Sequence, residues 1–173
     1  GGFSFGDYLR CGAIAAHSPI CRSVVAHADR GAYVLGVCNG FQILTETGLL
    51  PGALLRNIKL KFISKSVALQ VQSTDSGFTC GYERNQILQI PIAHHDGKYT
   101  SGPEVMKQLQ DEDRIAFKYV DNLNGSDGAV AGILSANRRI LGMMPHPERA
   151  VDIQHQSPDG QRLFAGLLDQ VAT

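Results

Sequence analysis

The stretch Gly36-Val37-Cys38-Asn39-Gly40-Phe41-Gln42 constrains the rest of the chain more than any other. A short apolar run, Ala32-Tyr33-Val34-Leu35, leads into it with the composition of a buried strand. Ile43 and Leu44 lead out into a helix that Gly48 can end and Pro51 cannot continue. A cysteine flanked by glycines at the joint of strand and helix has the layout of a nucleophile elbow. The sharp turn lifts the side chain clear of the sheet, and the glycines let backbone pass where a Cβ would clash. The same joint puts the sulfur at a helix N-terminus, where the positive end of the dipole favours a thiolate. Cys11, Cys21 and Cys80 have no such setting and read as small buried residues.

Around the elbow the pattern is that of an α/β domain. Residues 1–7 form a glycine-rich loop. Ser18-Pro19 reads as an N-cap with proline at the first helical position, opening a helix with Ile20, Val24 and Ala28 on one face and Gly31 at its end. Between 58 and 93 the period changes to two: Val67, Leu69 and Val71 alternate with polar or small residues, then Leu88, Ile90 and Ile92 do the same. An antiparallel section is expected there. Pro103 opens a short helix carrying Val105, Met106 and Leu109, and Ile115, Phe117 and Tyr119 make another alternating strand. Residues 129–134 and 140–144 read as strands joined by the turn at Asn137-Arg138-Arg139. A last helix from about Asp159 places Leu163, Leu167 and Val171 on one stripe, with Phe164 and Leu168 beside it.

Composition narrows the function classes. With 173 residues, 43% apolar and 18% charged, the chain suits one globular domain with a sizeable core. Sixteen basic and sixteen acidic residues cancel, and no basic run stands out, so neither nucleic acid nor an anionic membrane is implied as a partner. No apolar stretch is long enough to span a bilayer. Four cysteines without a C-x-x-C spacing fit a reduced, cytoplasmic chain.

A cysteine nucleophile needs a base, and His146 is the best candidate. Pro145 and Pro147 stiffen its surroundings and bias the residues before them toward extended backbone. In an extended segment residues two apart face the same way. Glu148 can then hydrogen-bond one ring nitrogen and leave the other for Cys38, completing a triad. Taken alone, the triple His-Pro-Glu is as easily a solvated surface loop. The backbone N–H of Asn39 is a natural oxyanion donor, and the Gly1-Gly2 loop can supply a second or be an ordinary tight turn. Gln42, four residues after Cys38, shares its helix face and can hydrogen-bond a polar substrate, or sit exposed on the first helical turn. His94, His95 and Asp96 invite a metal reading, but adjacent histidines diverge in a strand-end loop and no distant ligand set has the spacing. No metal is expected, and at most these residues line the mouth of the site.

Gly-Val-Cys-Asn-Gly-Phe-Gln at 36–42 together with Pro-His-Pro-Glu at 145–148 resembles the class I (triad) glutamine amidotransferases. Further segments are similar to the glutaminase subunits of phosphoribosylformylglycinamidine synthases: residues 1–10, 48–53, 57–62, 91–97, 124–126 and 142–149. The resemblance implies a flavodoxin-like α/β fold with a central, mostly parallel sheet, flanking helices and an antiparallel section. It implies hydrolysis of L-glutamine to glutamate and ammonia through a thioester on Cys38, with His146 and Glu148 completing the triad. The family's oxyanion donors match Gly2 and Asn39, and its elbow-helix glutamine matches Gln42. The implied partners are a large synthetase subunit, which would use ATP and Mg to make formylglycinamidine ribonucleotide in purine synthesis, and a small bridging subunit; no cofactor is implied in this chain. That family's members carry a strand and helix ahead of the Gly-Gly loop. Against that pattern the expectation is a single domain, 1–173, N-terminally truncated and lacking the first strand of its sheet. The rival readings are a stand-alone γ-glutamyl thiol hydrolase and a catalytically impaired scaffolding subunit.

Overall fold

Two glycines decide how closely the elbow helix can lie on the sheet. A Cβ on Gly36 would stand 2.4 Å from Leu44 Cδ1 and 2.8 Å from the Gly40 backbone, and one on Gly142 would stand 2.2 Å from the Phe41 ring. Bare backbone at both positions lets the helix sit directly on two neighbouring strands. The computed structural model describes residues 11–155 and 157–172. The expectations for Gly1, Gly2 and a strand ahead of them lie outside these residues.

In chain order the elements are α1 (Cys11–Ala16), α2 (Pro19–Asp29), β1 (Val34–Val37), α3 (Asn39–Glu46), β2 (Ala53–Leu55), β3 (Ile63–Val71), β4 (Ile87–His94), β5 (Lys98–Thr100), α4 (Pro103–Asp111), β6 (Ile115–Tyr119), β7 (Val130–Leu134), β8 (Ile140–Met143) and α5 (Gln161–Val171). Ser18 caps α2 as its position suggested, its hydroxyl accepting from the Cys21 N–H at 3.3 Å. Six strands form one sheet in the order β1-β8-β7-β6-β3-β4, while β2 and β5 pair as a separate antiparallel ribbon.

The sheet corrects one expectation. Among the described residues only β1 and β8 run parallel; the other four ladders of the six-stranded sheet are antiparallel. The turn at 135–139 joins β7 to β8 and the segment 72–86 joins β3 to β4. Such direct returns force antiparallel pairing, whereas a parallel neighbour needs a long crossover.

Side chains of β1, β7 and β8 are apolar on both faces because two cores sandwich them. One core gathers Phe41, Leu44, Leu50, Tyr99, Leu109 and Ile133 beneath α2, α3 and α4; the other gathers Leu69, Phe78, Leu88, Phe117, Met143 and Leu163 beneath α5. Two helix faces differ from the periodic reading. In α2 the buried residues are Cys21 and Ala28, with Ile20 exposed; in α5 they are Leu163 and Gly166, with Leu168 and Val171 exposed. Gly166 sits 2.8 Å, at its would-be Cβ, from the Gly77 carbonyl, so close helix approach rather than apolar spacing sets the buried stripe. Cys80, expected inside, is exposed.

Candidate active site

Cys38 stands where β1 becomes α3. Its N–H donates to the Met143 carbonyl at 2.8 Å, and its own carbonyl accepts from Phe41 and Gln42 at 3.0 and 3.2 Å, so the helix starts from the cysteine itself. The helix therefore begins earlier than Ile43. The residue lies at φ 53°, ψ −109°, a region that L side chains rarely occupy. Such strain persists only where the surroundings over-determine it, and here the β8 ladder on one side and the helix on the other do so. The thiol is buried and 3.8 Å from the Ala93 carbonyl at the end of β4.

His146 follows β8 and is tied across to β4 by its N–H, which donates to the Pro91 carbonyl at 2.8 Å. Beyond it the chain is not extended: Pro147–Arg149 forms a single 3₁₀ turn, as suits proline at the first position of a turn. The expected contact still forms, with His146 Nδ1 and Glu148 Oε1 2.6 Å apart. The imidazole is buried and its carboxylate partner half-exposed. The other ring nitrogen, Nε2, is buried and makes no hydrogen bond among the described residues. Burial alone would lower the His146 pKa. Interaction with Cys38 and with Glu148 more than reverses this, raising it from 6.5 to about 9. Burial likewise opposes ionisation of Glu148, but the bond to His146 prevails and holds its carboxyl below the usual value.

Asn39 is the first residue of α3, so its N–H falls among the first-turn donors that a helix does not itself use. Its side chain donates to Gln42 Oε1 at 2.8 Å, and Gln42 Nε2 donates to the Asp96 carbonyl at 2.8 Å. Gln42 is buried, not exposed on a first turn, and it ties the elbow helix to the loop after β4. Gly2 lies outside the described residues.

The loop His94-His95-Asp96 divides: His95 Nδ1 lies 3.7 Å from the Asp96 carboxylate, while His94 faces Asn57 instead. His95 is partly exposed, its Nε2 3.2 Å from the Leu60 carbonyl, and the buried Asp96 carboxylate lies 3.5 Å from Arg56. Among the described residues no group of three or more His, Cys, Asp or Glu side chains is placed to hold a metal ion. His94, fully buried, belongs to the site instead. Its Nδ1 lies 3.0 Å from Asn57 Oδ1, and Asn57 Nδ2 donates to the carbonyls of Lys61 and His94, both at 2.9 Å. Those two donations fix the amide, so Oδ1 is an acceptor and Nδ1 must carry the proton. Nε2 is then a lone-pair acceptor, buried and without a partner among the described residues. Burial and then the charge of His146 lower the His94 pKa from 6.5 to about 4, keeping the ring neutral at pH 7.

This has a consequence for acid stability. Between pH 6.5 and 4 the unfolded chain protonates His94 and the folded one does not, so stability falls as pH falls through that window. A lowering from 6.5 to about 4 corresponds to about 3 kcal/mol at roughly 1.4 kcal/mol per pH unit. Urea unfolding followed from pH 7 to pH 4 should show this loss in the wild type and a flatter slope in His94→Gln; parallel slopes would remove His94 from the account.

Asn57 and Tyr119 were not singled out from sequence. The Tyr119 hydroxyl is buried, which raises its pKa; Asn124 opposes the rise and Cys38 adds to it. An alternating strand gives no sign that one of its aromatic residues ends beside a thiol. Cleft size is no guide either: a cleft of about 490 Å³, lined by Pro51, Arg114 and Ile140, lies at the opposite end of β8 from Met143 and Cys38.

Comparison with known proteins extends this picture. Residues 1–165 match the CobB/CobQ-like glutamine amidotransferase domain. The chain is 64% identical over 172 residues to the phosphoribosylformylglycinamidine synthase subunit PurQ of Roseobacter denitrificans, covering 99% of this chain and 78% of that one. It is 51% identical to the PurQ of Zymomonas mobilis, with the same coverage. Among solved structures, a chain of PurLQS from Thermotoga maritima superimposes with TM-score 0.90 at 43% identity, covering 99% of this chain and 77% of that one. A protein of Thermoplasma acidophilum assigned to GMP synthase, 18% identical with TM-score 0.57 over 86% of this chain and 62% of that one, shares the fold.

Proposed function

Since the chain belongs to the CobB/CobQ-like glutamine amidotransferase family, we propose that it is the glutaminase subunit of a phosphoribosylformylglycinamidine synthase. It hydrolyses L-glutamine and supplies ammonia to a synthetase subunit, with a small subunit completing the assembly, as in the PurLQS complex of its structural relative. ATP and Mg belong to the synthetase, and the reaction is cytoplasmic, as suits a biosynthetic subunit of this kind.

The observation that carries the catalytic reading is a strained, buried cysteine at a helix start, near enough to a His–Glu pair 2.6 Å apart to raise the pKa of its imidazole. Cys38 Sγ, its proton held by His146, attacks the γ-carboxamide carbon of glutamine. The developing oxyanion takes hydrogen bonds from the Asn39 N–H and the Gly2 loop; losing one such donor typically costs about 2.7–4 kcal/mol of transition-state stabilisation. The C–N bond breaks as His146 returns the proton to the leaving nitrogen, giving ammonia and a γ-glutamyl thioester. A water then gives its proton to His146 and attacks the thioester carbon, and the C–S bond breaks to release glutamate and restore Cys38. Glu148 holds the imidazole in orientation and balances its positive charge. Gln42 stiffens the substrate side of the elbow, and neutral His94 offers an acceptor to a substrate N–H.

Ammonia release from glutamine, measured with and without the synthetase and small subunits, ATP and Mg, tests the assignment. Release that rises strongly on assembly is the expected result. Full activity of the isolated chain would make it a stand-alone thiol hydrolase.

A further inference from the structure

The segment between β2 and β3 holds apolar side chains in water on a fixed frame. Ile58 and Leu60 are 62% and 68% exposed, and Leu55 and Phe62 flank them on the surface. The frame beneath is fully bonded. Asn57, wholly buried, uses Nδ2 on the Lys61 and His94 carbonyls and Oδ1 on His94 Nδ1 and the Gly97 N–H. Backbone bonds from Asn57 to the His95 carbonyl, from Ile58 to Asn124 and from Leu60 to Asn57, all 2.8–2.9 Å, pin the rest. Leu60 is even held at φ +53°, which a branched side chain adopts only under constraint. A loop that merely failed to bury its apolar residues would not be tied down at Asn57, Ile58, Leu60 and Lys61 in succession. An exposed apolar patch held in one shape is the form that a docking surface takes.

Charge says what docks. Residues 53–74 carry Arg56, Lys59, Lys61 and Lys65 and no acidic residue. Arg56 is engaged by Asp96, while the three lysines form no ion pair among the described residues. A second copy of this chain meeting the patch face to face would set lysines against lysines, so the complementary surface is apolar and acidic and belongs to another protein. Position says which protein. Asn57 bonds His94, whose neighbour Ala93 presents its carbonyl to the Cys38 thiol. The patch is therefore joined through buried contacts to the backbone that meets the Cys38 thiol.

We infer that the exposed segment 55–62 is the docking surface for the synthetase subunit, engaging an apolar, carboxylate-bearing face of it through Ile58, Leu60, Lys59 and Lys61. This rests on the function proposed above. The partner covers the two apolar side chains, the lysines orient it, and the buried Asn57 keeps patch and site in register.

The test uses the full chain with the synthetase and small subunits. Wild type, Ile58→Ser/Leu60→Ser and Lys59→Glu/Lys61→Glu are compared for association by sedimentation, and as isolated chains for melting temperature and for alkylation of Cys38 by iodoacetamide. The expected result is association weakened at least about tenfold in the serine variant. The charge-reversed variant should be weakened most at low salt. Melting and alkylation should stay unchanged in both. Wild-type-like association of the two variants overturns the inference while leaving the function standing. So does a melting temperature lowered by the serines, which would mean that the chain covers the patch itself. Concentration-dependent dimerisation of the isolated chain, or binding to phosphatidylserine vesicles, lost in these variants with synthetase association intact, also overturns it. A wild-type chain that binds no synthetase overturns the function itself, and this inference with it.

Discussion

Cys38→Ala should abolish glutamine hydrolysis while leaving the chain folded. The thiol lies 3.8 Å from the Ala93 carbonyl and beside the His146 ring, while both ladder and helix bonds at this residue are made by its backbone. Its removal therefore takes away the nucleophile without dismantling the elbow. Steady-state ammonia release should drop to background; residual activity above about a hundredth of wild type would rule out the covalent route. A glutamine-analogue electrophile should add once to the wild type and not at all to the variant. The elbow geometry adds a sharper expectation. At φ 53°, ψ −109° any Cβ is strained, whereas glycine adopts positive φ at little cost. Cys38→Gly should thus be more stable than Cys38→Ala by about 1–2 kcal/mol, the reverse of their order at an ordinary buried site. Urea midpoints of the two variants decide this. An alanine variant as stable as the glycine one would mean that the elbow relaxes once the sulfur is gone, and that the strain is not imposed by the fold.

The nucleophile could be located from sequence because its surroundings are local: strand, glycine, cysteine, glycine and helix follow one another within a dozen residues. The His146–Glu148 contact was legible for the same reason, being two residues long, although a 3₁₀ turn forms it where an extended segment was expected. Strands β3, β4 and β6 announced themselves by alternation, since each lies in the antiparallel part of the sheet. What joins distant segments was not legible. The pairing of β1 with β8 couples residues about a hundred positions apart, and no pattern in either strand names its neighbour. Ribbon strands β2 and β5 have three residues each, too few for a period to register. The exposed Ile20, Leu168 and Val171 mislead any count of apolar spacing, because small residues such as Gly166 mark the true contact lines. His94 shows the limit most directly. As one of two adjacent histidines it read as a loop residue, and only the fold, by setting Asn57 against its Nδ1, makes it a buried neutral acceptor.

Glu148→Gln should separate orientation from charge in the triad. The amide oxygen of glutamine can still accept from His146 Nδ1, so the ring keeps its tautomer and position while the negative charge is lost. Wild-type His146, raised to about 9, is an imidazolium at neutral pH and can protonate the leaving nitrogen; above about 9 that proton is gone. The alkaline limb of kcat/KM should therefore fall near pH 9 in the wild type, since this ratio reports the free enzyme. Glu148 is one of the groups that raises the His146 pKa, so its neutralisation must move the limb toward acid. Activity at pH 7 should drop by roughly 10²–10⁴-fold, carried by kcat with little change in KM. Glu148→Asp, which restores the charge on a shorter arm, should return the limb toward the wild-type position even where rate is not fully recovered. A limb that stays in place in Glu148→Gln, with only the rate lowered, would reduce Glu148 to a steric support and leave Cys38 as the group that keeps His146 protonated.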